Sequence, residues 1–137
     1  MIFGIFGACR TDELVKLSTK DVKRHGEILL VSISDTKTGV NRSFTVSGEY
    51  FEIVDKYQKL RPLKAPNLRF FLNYQKGKCT CQVIGHHKFS KMPMQIAEFL
   101  RLDEPNRYTG MKVCKITSCE YKRHKIVNSY FFVFYAK

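Results

Sequence analysis

The sequence predicts an α+β domain in which a small antiparallel β-sheet packs with helices. Residues 27–34 are mostly apolar and β-branched, and residues 42–47 alternate polar and apolar side chains, as two paired strands do. At Tyr50 the apolar spacing changes to the 3.6-residue period of a helix over 50–60, and a second helix covers 88–100. With 137 residues, 44% of them hydrophobic, the chain can bury one core.

The segments before the second strand are predicted as two helices, a strand and a loop. Residues 2–9 have the apolar character of the end of a buried helix, so we expect the chain to be a fragment of something longer. Thr11 or Asp12 caps a further helix that turns its apolar side chains inward. The seven residues 35–41, with Lys37 among them, form the hairpin loop between the two strands.

The second half of the chain contains further predicted elements and a change of character. The helix over 50–60 must stop before a proline, and short strands follow at 69–74 and 79–84. Pro93 kinks the last helix or lies near its start. Beyond residue 110 the periodicity disappears, which predicts a domain over 1–110 and a divergent tail over 111–137.

The charge balance points to a polyanionic partner. The chain has 24 Lys and Arg against 12 Asp and Glu, a net charge of +12. Nucleic acid is the favoured polyanion, ahead of an acidic membrane surface. The apolar runs at 1–6 and 126–135 are too short to span a bilayer, so we expect no membrane passage.

The cysteines predict reduced thiols and no cofactor. Five cysteines are present without a C-x-x-C pair, which is typical of the nucleus or another intracellular compartment. Cys79 and Cys81 precede His86 and His87, but this spacing matches no standard zinc site. We therefore expect neither a metal nor another cofactor.

Two basic residues have the chemistry that a phosphodiester requires. Arg10 lies where an apolar segment meets an acidic helix start, and an arginine offers a planar fork of donors to two phosphate oxygens. Lys37, in the hairpin loop, offers a mobile cation to an oxygen that must leave. Either could equally be an exposed base on a basic protein.

Several short motifs, in order along the chain, resemble the tyrosine recombinase catalytic domain. They are Gly-Ala-Cys-Arg-Thr-Asp-Glu-Leu at 7–14, Asp-Thr-Lys-Thr at 35–38 with Arg42 and Phe44, Leu-Arg-Pro at 60–62, Pro93 with Ile-Ala-Glu-Phe-Leu at 96–100, and Tyr-Thr-Gly at 108–110. The chain is most similar to the phage-integrase-like recombinases of Crypton mobile elements and the animal genes derived from them. The resemblance covers roughly residues 2–110 and implies the N-terminal part of such a catalytic domain.

The resemblance implies a role for four residues. Arg10 matches the first catalytic arginine, which holds the scissile phosphate, and Lys37 matches the hairpin lysine that protonates the leaving 5′ oxygen. Glu13 would help to position Arg10, although the general preference for an acidic residue at a helix start accounts for Glu13 equally well. Arg42 is expected to add a DNA contact.

The resemblance ends where the family has His-x-x-Arg directly after Tyr-Thr-Gly. Met111 and Cys114 occupy these places, and neither side chain can transfer a proton or donate a charged fork as the family residues do. We assign no nucleophilic tyrosine, because the tyrosines of the tail lie in sequence without family character. A truncated element copy and a gene model that reads into non-coding sequence both account for this change.

These observations predict a catalytically incomplete, DNA-binding fragment of a DNA-integration enzyme, located in the nucleus. Duplex DNA is the expected partner, with self-association on DNA as a further expectation. One alternative is an active strand-transfer enzyme that takes its missing groups from another chain. A second alternative is a basic protein-interaction module, so the sequence leaves enzymatic activity open.

Overall fold

A computed structural model describes residues 2–34, 39–99, 101 and 103–105. A 3-10 turn at Thr19–Asp21 accompanies the helices and strands of this part of the chain. In chain order these are α1 (Ile2–Phe6), α2 (Thr11–Lys16), β1 (Val22–His25), β2 (Ile28–Ile33), β3 (Arg42–Val46), α3 (Glu49–Lys59), β4 (Leu72–Gln75), β5 (Lys78–Val83) and α4 (His86–Phe99).

A three-stranded antiparallel sheet has the order β1-β2-β3. The predicted hairpin is confirmed: Val31 pairs with Phe44, and Ile33 pairs with Arg42 at the loop end. β1, which the sequence analysis did not predict, adds to the other edge of β2. Leu29, Val31 and Val46 are fully buried, so one face of the sheet forms the centre of the core.

The helix predicted over 50–60 is confirmed as α3, and its apolar face enters the same core. Phe51, Ile53, Val54 and Tyr57 are buried. The Tyr57 hydroxyl donates to the carbonyl of Leu72 at 3.0 Å and accepts from its N–H at 2.7 Å. Because both Leu72 groups are buried, this phenol fixes the distance between α3 and β4.

The predicted strands at 69–74 and 79–84 form a separate two-stranded sheet, with one correction. β4 begins only at Leu72, because Arg69 pairs in an isolated antiparallel bridge with Ser18 instead. The neighbouring Phe70 N–H donates to the Leu17 carbonyl at 2.7 Å. The segment before β4 therefore belongs to the chain that leaves α2.

The last predicted helix is α4, which packs chiefly against α2 rather than directly against the three-stranded sheet. Phe89 meets the edge of Phe71, with 5.3 Å between ring centroids. Pro93 is buried inside the helix rather than near its start. The α+β class with small antiparallel sheets and helices is thus confirmed.

An aromatic cluster joins α1 to the sheet. Phe3 contacts the rings of Phe44, Phe70 and Phe71 at centroid distances of 5.8, 5.3 and 5.6 Å. The contact with Phe44 packs α1 against β3, and the loop that follows α1 lies beside Arg42 at the start of that strand. Arg10, one of the two residues predicted to bind phosphate, lies in this loop.

Candidate nucleic-acid interface

The loop from Gly7 to Arg10 connects α1 to α2 and has an unusual backbone. Gly7 is buried, and a Cβ at this position would collide with the ring of Phe44. Ala8 has a φ of +44°, a left-handed conformation that is unfavourable for a residue with a Cβ. The buried thiol of Cys9 anchors the loop, and Arg10 then emerges exposed. Such backbone persists only where surrounding contacts hold it.

Glu13 is the buried residue of α2, with 5% of its surface exposed. Its Oε2 accepts the backbone N–H of Arg10 at 2.7 Å, which caps the first turn of the helix. The same oxygen accepts from the guanidinium of Arg42 at 2.5 Å. A buried carboxylate is costly unless it is paired and hydrogen-bonded, and these two contacts meet that need.

Arg42 directs its guanidinium to the protein. Nη1 donates to the Gly7 carbonyl at 2.5 Å, and Nη2 donates to Glu13 and, at 3.4 Å, to the Ala8 carbonyl. The side chain remains 36% exposed. The DNA contact expected of Arg42 stays a prediction, and its fork is already bound to three protein oxygens.

Of the two residues predicted to bind phosphate, the structure describes Arg10 but not Lys37. Arg10 is exposed at the start of α2, open to a ligand from solvent. Lys37 and the neighbouring residues 35–38 lie outside the described residues, so their common face with Arg10 stays a prediction. The described base of that hairpin, at Arg42, contacts the Arg10 loop directly.

The positions at which the family motif breaks down also lie outside the described residues. Met111 and Cys114 fall there, as does the whole predicted tail 111–137. The expected domain boundary and the missing catalytic groups therefore stay predictions from the sequence.

A side-chain contact that the sequence did not predict joins α2 and α4 beside Arg10. His86 Nε2 lies 2.9 Å from Asp12 Oδ1, so the first residue of α4 meets the first turn of α2. Both side chains are largely exposed. No local spacing could reveal this pair, because its members belong to opposite ends of the described chain.

A second charged cluster lies on α3 and β1. Asp55 pairs with Lys59 at 2.7 Å and with Arg24 at 2.9 Å. The hydrogen bond from Lys59 is the main cause that lowers the pKa of Asp55; desolvation opposes it, and the charges of Lys59 and Arg24 add to it. The Arg24 guanidinium also lies 4.9 Å from the centroid of Phe51.

The thiol of Cys79 faces a small cleft of about 190 Å³, whose lining includes Tyr57, Arg61 and Phe70. Burial raises the pKa of this thiol, against a weaker opposing effect of the Arg61 charge. A thiol of this kind stays protonated and is a poor nucleophile or metal ligand. Within the described ranges, no three His, Cys, Asp or Glu side chains form a group that could hold a metal ion.

The helices of this part of the chain are not membrane spans: none is both long and apolar enough to cross a bilayer.

Comparison with known proteins gives a likeness in structure only. No family model matches the chain, and neither does any curated protein. Among solved structures, the chain resembles the XerH site-specific recombinase, crystallised with its palindromic difH substrate as a post-cleavage complex. The TM-score is 0.57 at 21% sequence identity, over 91% of this chain and 34% of the recombinase. The chain thus spans about a third of that protein's length, and its fold is tyrosine recombinase-like.

Proposed function

We propose that the chain is a duplex-DNA-binding domain derived from a tyrosine recombinase, with the loop that presents Arg10 as a phosphate contact. The observation that carries this proposal is the exposed Arg10 on a loop held by the buried Glu13 and its partner Arg42. A loop whose backbone is already held loses little backbone freedom when its arginine binds a phosphate. The recombinase of similar fold was crystallised on a DNA substrate, which supports the choice of ligand.

The net charge supplies the remaining affinity. An excess of +12 attracts a duplex without regard to its base sequence. Exposed lysines on several elements add to this field, among them Lys20, Lys23 and Lys91. Since phosphate contacts release counterions, the complex should be weak at physiological salt and should dissociate steeply as salt rises.

Strand cleavage is not part of the proposal. Arg10, with Lys37 as the proton donor to a leaving oxygen, would supply two of the required groups. Met111 and Cys114 stand where the family places its histidine and its second arginine, and neither can neutralise a developing phosphate charge. We infer a catalytically incomplete domain of the Crypton-derived type that acts in the nucleus.

Fluorescence anisotropy with a labelled duplex, repeated over a salt series, tests binding. Arg10→Ala should weaken the complex and reduce the slope of log affinity against log salt by about one, the effect of one lost phosphate contact. Lys64→Ala removes an equal charge from the exposed linker between α3 and β4 and serves as the control. Equal losses in the two variants would show that Arg10 has no special role. Affinity unaffected by salt would contradict the electrostatic account.

A suicide duplex tests the alternative of an active enzyme. The labelled DNA is incubated with the protein and then separated under denaturing conditions. We expect no protein joined covalently to DNA, because a covalent intermediate needs a positioned nucleophile. A covalent adduct would instead establish strand cleavage. If the protein binds the duplex at none of the salt concentrations tested, the protein-interaction module is favoured.

A further inference from the structure

The geometry points to Arg42 as a positioning residue for Arg10. We infer that its guanidinium holds the loop that presents Arg10 and couples this loop to the β2–β3 hairpin, without contacting DNA itself. Two of the three oxygens that it binds are the carbonyls of Gly7 and Ala8 in the loop, and the third is the Glu13 carboxylate in α2. Arg42 thereby ties the start of the loop to the helix that follows it.

An arginine suits this task because its donors form a planar fork. Nη1 and Nη2 reach Gly7 and Glu13 at the same time, which the single ammonium of a lysine cannot reproduce in the same geometry. The loop also needs to be held, because Ala8 has a left-handed backbone that is unfavourable without such support. A lysine at position 42 would keep the charge and lose the clamp.

The contact also joins the Arg10 loop to the base of the β2–β3 hairpin. Arg42 pairs with Ile33 at the last paired position of the two strands, next to the connection that contains Lys37 in the sequence. The Glu13 carboxylate meets Arg42 with the same oxygen that receives the Arg10 N–H. A hydrogen-bonded chain therefore runs from the hairpin base through Glu13 to Arg10.

The first test needs no DNA and is independent of the proposed function. Amide hydrogen exchange at Arg10, followed by NMR, is compared between the wild-type protein and Arg42→Lys. Without the clamp, the Glu13 carboxylate and the loop are no longer held together, so the hydrogen bond from the Arg10 N–H to Glu13 weakens. Exchange at Arg10 should accelerate about tenfold, as expected for weakening a hydrogen bond to a charged group. Arg24→Lys changes a surface arginine paired with Asp55 and should leave Arg10 unaffected. Unchanged exchange at Arg10 in Arg42→Lys would overturn the inference.

The unmodified protein gives a second measurement if the variant does not fold. The Nη hydrogens of Arg42 should exchange with water more slowly than those of Arg10, because the Arg42 guanidinium is clamped and half-buried while Arg10 is exposed. Equally fast exchange of the two side chains would contradict the clamp.

The effect on DNA rests on the proposed function and is tested by a double-mutant cycle on duplex affinity. Arg42→Lys should reduce affinity and salt slope as Arg10→Ala does, and the double variant should bind no more weakly than Arg10→Ala alone. If Arg42 contacts a phosphate by its charge, Arg42→Lys will keep wild-type affinity. A purely structural residue would lower the melting temperature of Arg42→Lys without changing the affinity of the folded protein. If no variant binds DNA, the proposed function fails while the exchange result still decides the clamp.

Discussion

Glu13 combines burial with a negative charge, and its two contacts make it the residue on which the Arg10 loop depends. Glu13→Ala leaves the Arg42 guanidinium without its carboxylate and the Arg10 N–H without an acceptor. Breaking a buried pair in this way should cost about 3 kcal/mol, near the lower end of the usual range because Arg42 is partly exposed. Urea unfolding measures the loss.

Asp12→Ala is the matched control, since it removes a carboxylate from the adjacent position of α2. Its partner, His86, is exposed, and an exposed contact of this kind contributes less than about 1 kcal/mol. Similar losses in the Asp12 and Glu13 variants would mean that burial of the Glu13 carboxylate adds nothing to stability.

Gly7 allows α1 and β3 to approach each other. A methyl group at Gly7 would collide with the Phe44 ring, so Gly7→Ala should destabilise the fold by about 1–3 kcal/mol, the usual cost of overpacking. Gly4→Ala, inside α1, meets no atom within 4 Å and should be neutral or slightly stabilising. Thermal unfolding compares the two; a neutral Gly7→Ala would show that the ring moves away freely.

For single residues, the sequence indicates which side chains belong to the candidate site better than it indicates which side chains they contact. The motif around Arg10 indicated both the exposed arginine and a supporting Glu13. The clamp through Arg42 could not be predicted, because Arg42 is separated from Glu13 by 29 positions and from Gly7 by 35. Contacts over such separations follow from the paired sheet rather than from any local pattern.

Among the secondary-structure elements, hydrophobic periodicity explains why β2, β3 and α3 could be predicted from the sequence and why β1 could not. β2 and α3 each bury several apolar side chains, and β3 alternates exposed Ser43 and Thr45 with half-buried Phe44 and buried Val46, so their periods appear in the sequence. β1 buries only Val22 and exposes its other three residues, so its pattern is too weak to identify a strand. β4 begins later than predicted because the backbone around Arg69 pairs with the segment after α2.

The Asp55 cluster gives the connection between β1 and α3 a pH dependence. The pKa of Asp55 is lowered on folding from its unfolded value of 3.8. Asp55 therefore contributes its full share to the free energy of unfolding above this pKa, and the contribution is lost as the pH falls through the lower pKa of the folded state. Asp55→Asn should therefore be less stable than the wild-type protein at neutral pH, and the difference should disappear in acid. Urea unfolding across this pH range measures it.

Glu52→Gln controls for the loss of a negative charge on α3, at an exposed position of the same helix. A difference between Asp55→Asn and the wild-type protein that persists unchanged into acid would contradict the assigned cause, since a protonated Asp55 no longer attracts Lys59 or Arg24.

In the described part of the molecule, the three-stranded sheet and the aromatic contacts of Phe3 hold α1 in place. The clamped loop that follows α1 then presents Arg10 to solvent on a strongly basic chain. The sequence predicts the fold class and the charge. It does not predict that α4 packs on α2, because an amphipathic helix shows how much apolar surface it buries but not against which element.

The central claim is that the face with the Arg10 loop contacts duplex DNA. Titration of ¹⁵N-labelled protein with a short duplex, followed by amide chemical shifts, tests it most directly. We expect the largest amide shift changes at Ala8–Glu13 and at Gly39 beside the hairpin loop. Residues 63–66, in the linker between α3 and β4, should change little, and added salt should reverse all of the changes. Changes concentrated in that linker or at the β4–β5 turn, with the Arg10 loop unaffected, would contradict it.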